Sequence, residues 1–326
     1  LLTPLQRVVI QAHDFPDHDA IAAAYGLATL MQSMGMNTLI VYNGHIDRIS
    51  LSNMTQWREI PVVHCNKANL TAHDKIITVD GCIGEKNVTD IQGEEIAVID
   101  HHNVTPPKGL WYCDVRSNYG ATASIIYEYF RALNIEVPEK VATALLVGLN
   151  IDTANLTRGF CNADLKAFLG LNQIADLTLV NRICRNALVQ SELKSFQQVC
   201  DNVKSNDGIA IVLLQEPCAK NLLGVLADFL LSVNEYDIVI VGGGLVGASL
   251  AACLQHLPLK IAIIEAKPQA VPAENDNRII ALNYVSRRIF EGMGIWQHIE
   301  PHAEPIKHIH VSNRGHFGIA RLPHQL

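Results

Sequence analysis

The hydrophobic positions in the first half of the chain fall into two kinds of run, and their alternation predicts an α/β fold. Short continuous apolar runs are typical of strands buried on both faces, and longer Ala- and Leu-rich segments are typical of helices. The predicted strands are residues 7–12, 38–42, 75–80 and 95–100, and the predicted helices are 19–34, 121–133 and 139–149. We therefore expect a parallel sheet covered by helices.

The rest of the pattern predicts further domains. Residues 163–203 are mainly helical in character, with Asn162 as the expected N-cap. A strand at 208–214 and a helix at 221–231 begin a second region, and a new strand–loop–helix unit starts near residue 236 without a linker. The predicted fold class is α/β throughout: a parallel-sheet domain (1–190), a truncated second α/β domain (191–234) and a partial Rossmann-like unit (235–326).

Composition narrows the functional classes. A net charge of -7 argues against a large nucleic-acid-binding surface. No apolar run reaches the ~18–20 residues of a membrane span, and the first residues lack the pattern of a signal peptide. The eight cysteines form no C-x-x-C pair, which favours free thiols in a reducing cytoplasm.

Acidic and histidine residues lie where the predicted strands end. In open parallel sheets, ligands bind beyond the carboxyl ends of the strands, so these side chains are expected along one edge. Asp152, which follows the apolar run 145–151, can join them. The strand-end residues are His13, Asp17, Asp19, Asp80, Asp100, His101 and His102.

This set of residue types indicates a metal site. Carboxylates and imidazoles without thiolates suit Mn²⁺ or Mg²⁺. Two cations ~3.5–4 Å apart stabilise both the attacking and the leaving oxygen of a phosphoryl displacement. A single aspartate after a strand is more often a turn or helix cap, but the combined pattern predicts metal-dependent phosphoester hydrolysis.

The motifs resemble those of the DHH phosphoesterases. Residues 13–20 (HDFPDHDA) match the first motif, H-x-x-P-D-x-D-A, with Asp14 and Phe15 in the variable places. Asp80 matches the second motif, residues 100–102 (DHH) the third and Asp152 the fourth, across about residues 5–190.

The resemblance implies roles for these residues. One cation would take His13, Asp17 and Asp80, and the other Asp19, Asp80, His101 and Asp152, with Asp80 bridging the two. His102 would contact the scissile phosphate, and Asp100 would support the histidines.

The resemblance also concerns the surroundings of the site. Residues 117–122 look like the family's loop-to-helix segment beside the substrate, and Arg158 is either a phosphate contact or a surface arginine. Residues 208–233 look like the start of the family's substrate-binding domain, called DHHA1, whose later Gly-rich, His-containing loop has no counterpart in this sequence.

A second motif follows residue 235. A strand at 236–241 precedes G-x-G-x-x-G at Gly242, Gly244 and Gly247, and a second strand ends at Glu265. These glycines allow a pyrophosphate to approach a helix N-terminus, and the acid can take ribose hydroxyls. This pattern predicts binding of a dinucleotide.

Residues 277–282, 292–296 and 308–315 resemble the flavin hydroxylases of ubiquinone biosynthesis, of the octaprenyl-methoxyphenol hydroxylase type. The resemblance implies that FAD binds here, with Glu265 on the ADP ribose and Arg278 near the flavin. The sequence covers about a quarter of such an enzyme, so we expect an incomplete monooxygenase and a fusion of two gene fragments.

These patterns predict a phosphoesterase that uses two Mn²⁺ or Mg²⁺ ions to hydrolyse short oligonucleotides or a small nucleotide. Two alternatives stay open: an FAD-dependent monooxygenase fragment, and a non-catalytic nucleotide-binding module. Homodimerisation is also left open.

Overall fold

The computed structural model describes residues 7–46, 48–185, 188–206, 209–216, 218, 220–265, 282, 284–306, 308–312 and 319–323. The chain forms two compact units, Leu1–Leu193 and Lys194–Leu326. In the ranges described, no helix combines the length and apolar character needed to cross a membrane.

The first unit is built on a six-stranded sheet flanked by helices. Its strands are β1 (Arg7–Ala12), β2 (Asn37–Tyr42), β3 (Val62–His64), β4 (Lys75–Val79), β5 (Glu94–Asp100) and β6 (Tyr112–Val115). Its helices are α1 (His18–Ser33), α2 (Ile49–Trp57), α3 (Thr122–Ala132), α4 (Glu139–Asp152), α5 (Asn162–Asn172) and α6 (Leu177–Arg185).

The sheet is parallel throughout, in the order β3-β2-β1-β4-β5-β6. From β1, successive strands are added on one side up to β3. The chain then returns to the other side of β1, where β4, β5 and β6 are added in turn. The strand order therefore reverses direction between β1 and β4, and such a switch point opens a crevice at the carboxyl ends of the strands. The expected parallel α/β fold is confirmed.

Both faces of the sheet are buried, which explains the continuous apolar runs. Val8 and Ile10 of β1 belong to the large core shared with α1, α3 and α4, whereas Val9 packs on the opposite face with Val41 and Ile76. Alternate residues of β1 thus enter two different cores, as the two-residue period of a strand requires.

One helix start differs from the expectation. The N-cap of α5 is Cys161, and Asn162 is already helical. The reason is local: the Asp164 carboxylate accepts a hydrogen bond from the Cys161 amide at 2.8 Å, as in a capping box, so the helix begins one residue earlier than predicted.

The second unit contains the remaining elements. Its strands are β7 (Val203–Asn206), β8 (Ile209–Leu213), β9 (Ile238–Val241), β10 (Ile261–Glu265), β11 (His308–Ser312) and β12 (Ile319–Pro323). Its helices are α7 (Leu193–Asn202), α8 (Lys220–Leu231), α9 (Leu245–Leu254), α10 (Tyr284–Gly292) and α11 (Trp296–Ile299).

A single sheet joins the two segments that the sequence divides near residue 234. The order is β7-β8-β10-β9, and β10 pairs in parallel with β8 on one side and β9 on the other. Ala210 and Val212 of β8 share a core with Ala262 and Ile264 of β10. The boundary at residue 234 stays a prediction, and any such boundary runs through a shared sheet.

A close approach between α1 and α4 depends on Gly148. A Cβ added at Gly148 would lie 2.9 Å from both Cα and Oδ1 of Asp19, closer than real Cβ contacts. An alanine at this position would therefore push α4 away from the first turn of α1, where Asp19 lies.

We predict that Gly148→Ala lowers the free energy of unfolding by about 1–3 kcal/mol through overpacking. The sign is diagnostic because alanine in a helix normally stabilises by about 1 kcal/mol relative to glycine. Gly224→Ala is the matched control, since Gly224 is exposed in α8 with nothing within 4 Å of the added methyl group. Chemical denaturation of both variants is the measurement, and a stabilised Gly148→Ala would contradict the close approach.

Candidate metal centre

The predicted cluster lies at the carboxyl edge of the sheet, around the switch point. His13 follows β1, Asp17 caps α1, Asp80 follows β4 and Asp100 ends β5. Asp152 is the last residue of α4. The structure brings all the predicted site residues of the first unit into one region, and their role as ligands stays a prediction.

His13, Asp17 and Asp80 form a first group of three. The Nε2 atom of His13 lies 3.7 Å from Oδ2 of Asp17 and 3.8 Å from Oδ2 of Asp80. The Nδ1 atom lies 2.9 Å from the carbonyl oxygen of Asp14. Because a carbonyl only accepts, Nδ1 donates in this contact, so in the neutral ring it is Nε2 that offers a lone pair to a metal ion.

Asp19, His101 and Asp152 form a second group. The Nε2 atom of His101 lies 3.4 Å from Oδ2 of Asp152 and 3.5 Å from Oδ1 of Asp80. Its Nδ1 atom lies 3.2 Å from the Tyr119 carbonyl oxygen, which orients this ring in the same way as that of His13. The ligand atoms in each group lie within 4.8 Å of one another.

Asp80 stands between the two groups. Its Oδ2 atom faces His13 and its Oδ1 atom faces His101. The residue is 1% exposed, and its backbone has φ +57°, a left-handed conformation that aspartate tolerates better than most residues. One carboxylate thus presents an oxygen atom to each of the two groups.

The electrostatics show an excess of negative charge. Burial and the nearby Asp17 carboxylate raise the pKa of Asp80 to about 7. Burial and the charges of Asp80 and Asp152 also raise the pKa of Asp19. Although burial disfavours its charged form, the Asp152 and Asp19 carboxylates raise the pKa of His101 to about 10. The protein alone therefore supplies too little positive charge to balance these carboxylates.

The donor set fits divalent cations. Oδ2 of Asp80 and Nε2 of His101 are buried without a hydrogen-bond partner, although buried polar atoms are normally paired. Carboxylate oxygens and imidazole nitrogens are also the ligands expected for Mn²⁺ or Mg²⁺. A cation in each group would satisfy these atoms and supply the missing positive charge.

The N-terminus of α3 holds two of the carboxylates. The Thr122 and Ala123 amides donate to Oδ2 and Oδ1 of Asp19 at 2.6 and 3.0 Å, and the buried Thr122 hydroxyl donates to Oδ1 of Asp80 at 2.8 Å. Thr122 lies in the segment 117–122 predicted beside the substrate, but no local pattern indicates this contact. The helix N-terminus also favours the negative charges electrostatically.

Asp100 and His102 form a supporting pair. The ring Nδ1 and the backbone amide of His102 lie 2.9 and 3.0 Å from Oδ1 of Asp100. Burial raises the pKa of Asp100, but these contacts outweigh it and lower the pKa. The His102 side chain is 53% exposed. Asp100 therefore orients the ring from its buried side, and the exposed side is open to a substrate.

Arg158 is exposed in the turn after α4, where its amide donates to the Thr153 carbonyl at 3.1 Å. Ala154, Asn155 and Leu156 in this turn all have positive φ values, between 48° and 59°. A contact between Arg158 and phosphate stays a prediction.

The glycine loop of the second unit has a compact geometry. Gly242 has φ +99°, and a Cβ added at Gly247 would lie 1.9 Å from the Gly242 carbonyl oxygen, so only glycine fits there. Gly244 caps α9, and the Gly243 amide donates to Oε2 of Glu265 at 2.7 Å. The other predicted FAD contact, Arg278, lies outside the described residues.

Comparisons with known proteins agree with both motif sets. Residues 7–149 match the DHH family, N-terminal domain, and residues 235–323 match an FAD binding domain. The chain is 30% identical over 239 residues to an uncharacterized protein of Methanocaldococcus jannaschii, covering 72% of this chain and 49% of that protein. It is 28% identical over 186 residues to a probable manganese-dependent inorganic pyrophosphatase of Enterococcus faecalis, covering 54% of this chain and 58% of that protein.

A solved structure shares the fold. An exopolyphosphatase-related protein from Bacteroides fragilis aligns with a TM-score of 0.55 at 17% identity, covering 71% of this chain and 73% of that chain. The chain spans about half the length of the curated relatives it matches.

The first unit thus belongs to the class of α/β proteins with a carboxylate and histidine cluster at the switch point of the sheet. More particularly, residues 7–149 match the DHH family, N-terminal domain, and residues 235–323 of the same chain match an FAD binding domain.

We predict that Thr122→Val weakens Mn²⁺ binding about 10- to 100-fold, because the hydroxyl that orients the Asp80 carboxylate is lost. Thr122→Ser keeps the hydroxyl and is expected to bind Mn²⁺ like the parent protein. Calorimetric titration measures both, and thermal unfolding checks that each variant is folded. Equal affinities for the valine and serine variants would contradict the role of the hydroxyl.

Proposed function

We propose that the chain is a divalent-metal-dependent phosphoesterase that hydrolyses short oligonucleotides or small nucleotides. The observation that carries this proposal is the position of Asp80 between two groups of acidic and histidine side chains, with a buried atom on each side left unpaired. Relatives named as manganese-dependent pyrophosphatases support Mn²⁺ as the ion and a phosphate-containing substrate.

The site residues suit an in-line displacement at phosphorus. When bound, two cations lower the pKa of a coordinated water from about 15.7 toward neutrality and offset charge on the phosphoryl oxygens. His13, Asp17 and Asp80 would hold one ion, and Asp19, Asp80, His101 and Asp152 the other. Asp80 would set the separation of the two ions, since it contributes one oxygen to each side.

His102 would act on the phosphate. Asp100 accepts from Nδ1 of His102, so the exposed Nε2 points away from that support and can meet a phosphoryl oxygen or protonate the leaving oxygen. The attacking water forms the new P–O bond, the bond to the leaving oxygen breaks, and one proton passes to that oxygen. Asp100 contributes by orienting the ring and stabilising its charged form.

The test is hydrolysis of a dinucleotide and of inorganic pyrophosphate with added Mn²⁺, by the parent protein and by Asp80→Asn. We expect Mn²⁺-dependent turnover that falls at least about 100-fold in Asp80→Asn, because the shared ligand is lost. Asp90→Asn changes an exposed aspartate of the same unit and is the matched control. Circular dichroism confirms that each variant folds.

Two results would contradict the proposal. Unchanged turnover in Asp80→Asn would place the activity at another site. Nucleotide binding by the Mn²⁺-loaded parent without any turnover would identify a non-catalytic binding module instead.

A second candidate function is binding of the ADP part of FAD by the second unit. It is favoured by the glycine loop, in which Gly247 lies too close to the Gly242 carbonyl oxygen to carry a side chain, and by Glu265 at the end of β10. The absorption spectrum of the same preparation, with FAD added and free flavin removed, is a further readout. A retained flavin band supports this candidate, and a colourless protein opposes it.

A further inference from the structure

Phe15 adopts an unfavourable backbone conformation in the middle of the first motif. Its φ is +53°, in the left-handed region that bulky side chains avoid. Strained residues of this kind persist only where the surrounding structure fixes them, and they concentrate at functional sites.

Contacts on both sides of the loop hold this conformation. The Phe15 amide donates to the Asn43 carbonyl at 2.9 Å, and the Asp14 amide donates to the Asn87 carbonyl at 2.6 Å. The Asp14 carboxylate accepts from the hydroxyl and the amide of Thr89 at 2.6 and 3.2 Å. The loop between β1 and α1 is therefore fixed, and the direction of the Phe15 side chain with it.

The phenyl ring lies on glycine and remains open to solvent. A Cβ added at Gly44, which has φ +78°, would lie 2.8 Å from the Phe15 ring, so the ring covers this glycine. The His45 ring stands edge-on at 6.1 Å between centroids. Phe15 is nevertheless 59% exposed. We call Phe15, Gly44 and His45 the aromatic shelf.

Phe15 of the aromatic shelf lies on the same loop as two residues of the first ligand group. Phe15 is two residues from both His13 and Asp17, whose side chains lie 3.7 Å apart in that group. A phosphate at the metal centre would therefore place the group esterified to it near the phenyl ring. A rigid, solvent-exposed aromatic side chain makes no stacking or apolar contact with inorganic pyrophosphate, which presents only charged oxygens.

We propose that the aromatic shelf stacks against a nucleobase of the substrate, so that Phe15 selects nucleotides over inorganic pyrophosphate. This inference rests on the proposed phosphoesterase function. Stacking on an aromatic ring tolerates any base, because every base has a π-face.

The test compares Phe15→Leu and Phe15→Trp with the parent protein. Leucine keeps an apolar side chain but cannot stack, and tryptophan keeps the stacking surface. For Phe15→Leu we expect kcat/KM for a dinucleotide to fall about 5- to 150-fold relative to kcat/KM for pyrophosphate, the range for one base stack. Phe15→Trp is expected to retain the preference for the dinucleotide.

Trp111→Leu is the matched control, because Trp111 is also exposed but precedes β6. It therefore lies at the amino ends of the strands, whereas Phe15 lies at their carboxyl ends. Its preference for the dinucleotide should equal that of the parent protein. An equal loss for both substrates in Phe15→Leu, or no loss for the dinucleotide, would overturn the proposal.

Binding of AMP and of inorganic phosphate to the Mn²⁺-loaded protein separates this inference from the proposed function. Weaker AMP binding by Phe15→Leu, restored in Phe15→Trp, supports base stacking on the aromatic shelf even if no substrate is hydrolysed. If AMP binds in this way without any hydrolysis, only the phosphoesterase proposal fails. Identical AMP affinities in all three proteins would overturn the aromatic shelf whatever the turnover.

Discussion

The burial of the Asp80 carboxylate, shared between two groups of acidic and histidine ligands, is the constraint on which the first unit depends. An isolated buried carboxylate is costly, and several within one crevice repel each other as well. The protein supplies imidazole rings, the Thr122 hydroxyl and the amides of α3, which reduce the cost without removing it. The remaining deficit of positive charge is what divalent cations would fill.

The architecture places each part of this arrangement. The switch point between β1 and β4 sets His13 against Asp80, and β5 delivers the histidines from the other side. Gly148 lets α4 approach the first turn of α1 closely. In that turn, Asp19 accepts hydrogen bonds from the N-terminus of α3. The centre therefore depends on helix packing as much as on the strand ends.

The strands that carry the site could be predicted because each is an apolar run that ends at an acid or a histidine. The edge strands β3 and β6 could not, since they are only three and four residues long and are not fully buried. Nor could the contact of Thr122 with Asp80, which joins residues 42 positions apart. The pairing of β8 with β10 crosses two segments of different family resemblance, so local sequence carries no signal for it.

We propose that the first unit holds two cations that share Asp80 as a ligand. Calorimetric titration of the parent protein with Mn²⁺, followed by electron paramagnetic resonance of the loaded sample, is the test of this proposal. Two ions per chain with a spin-coupled spectrum, as expected for a separation of about 3.5–4 Å, are the predicted result. A single ion per chain, or two ions with an uncoupled spectrum, would contradict the shared centre.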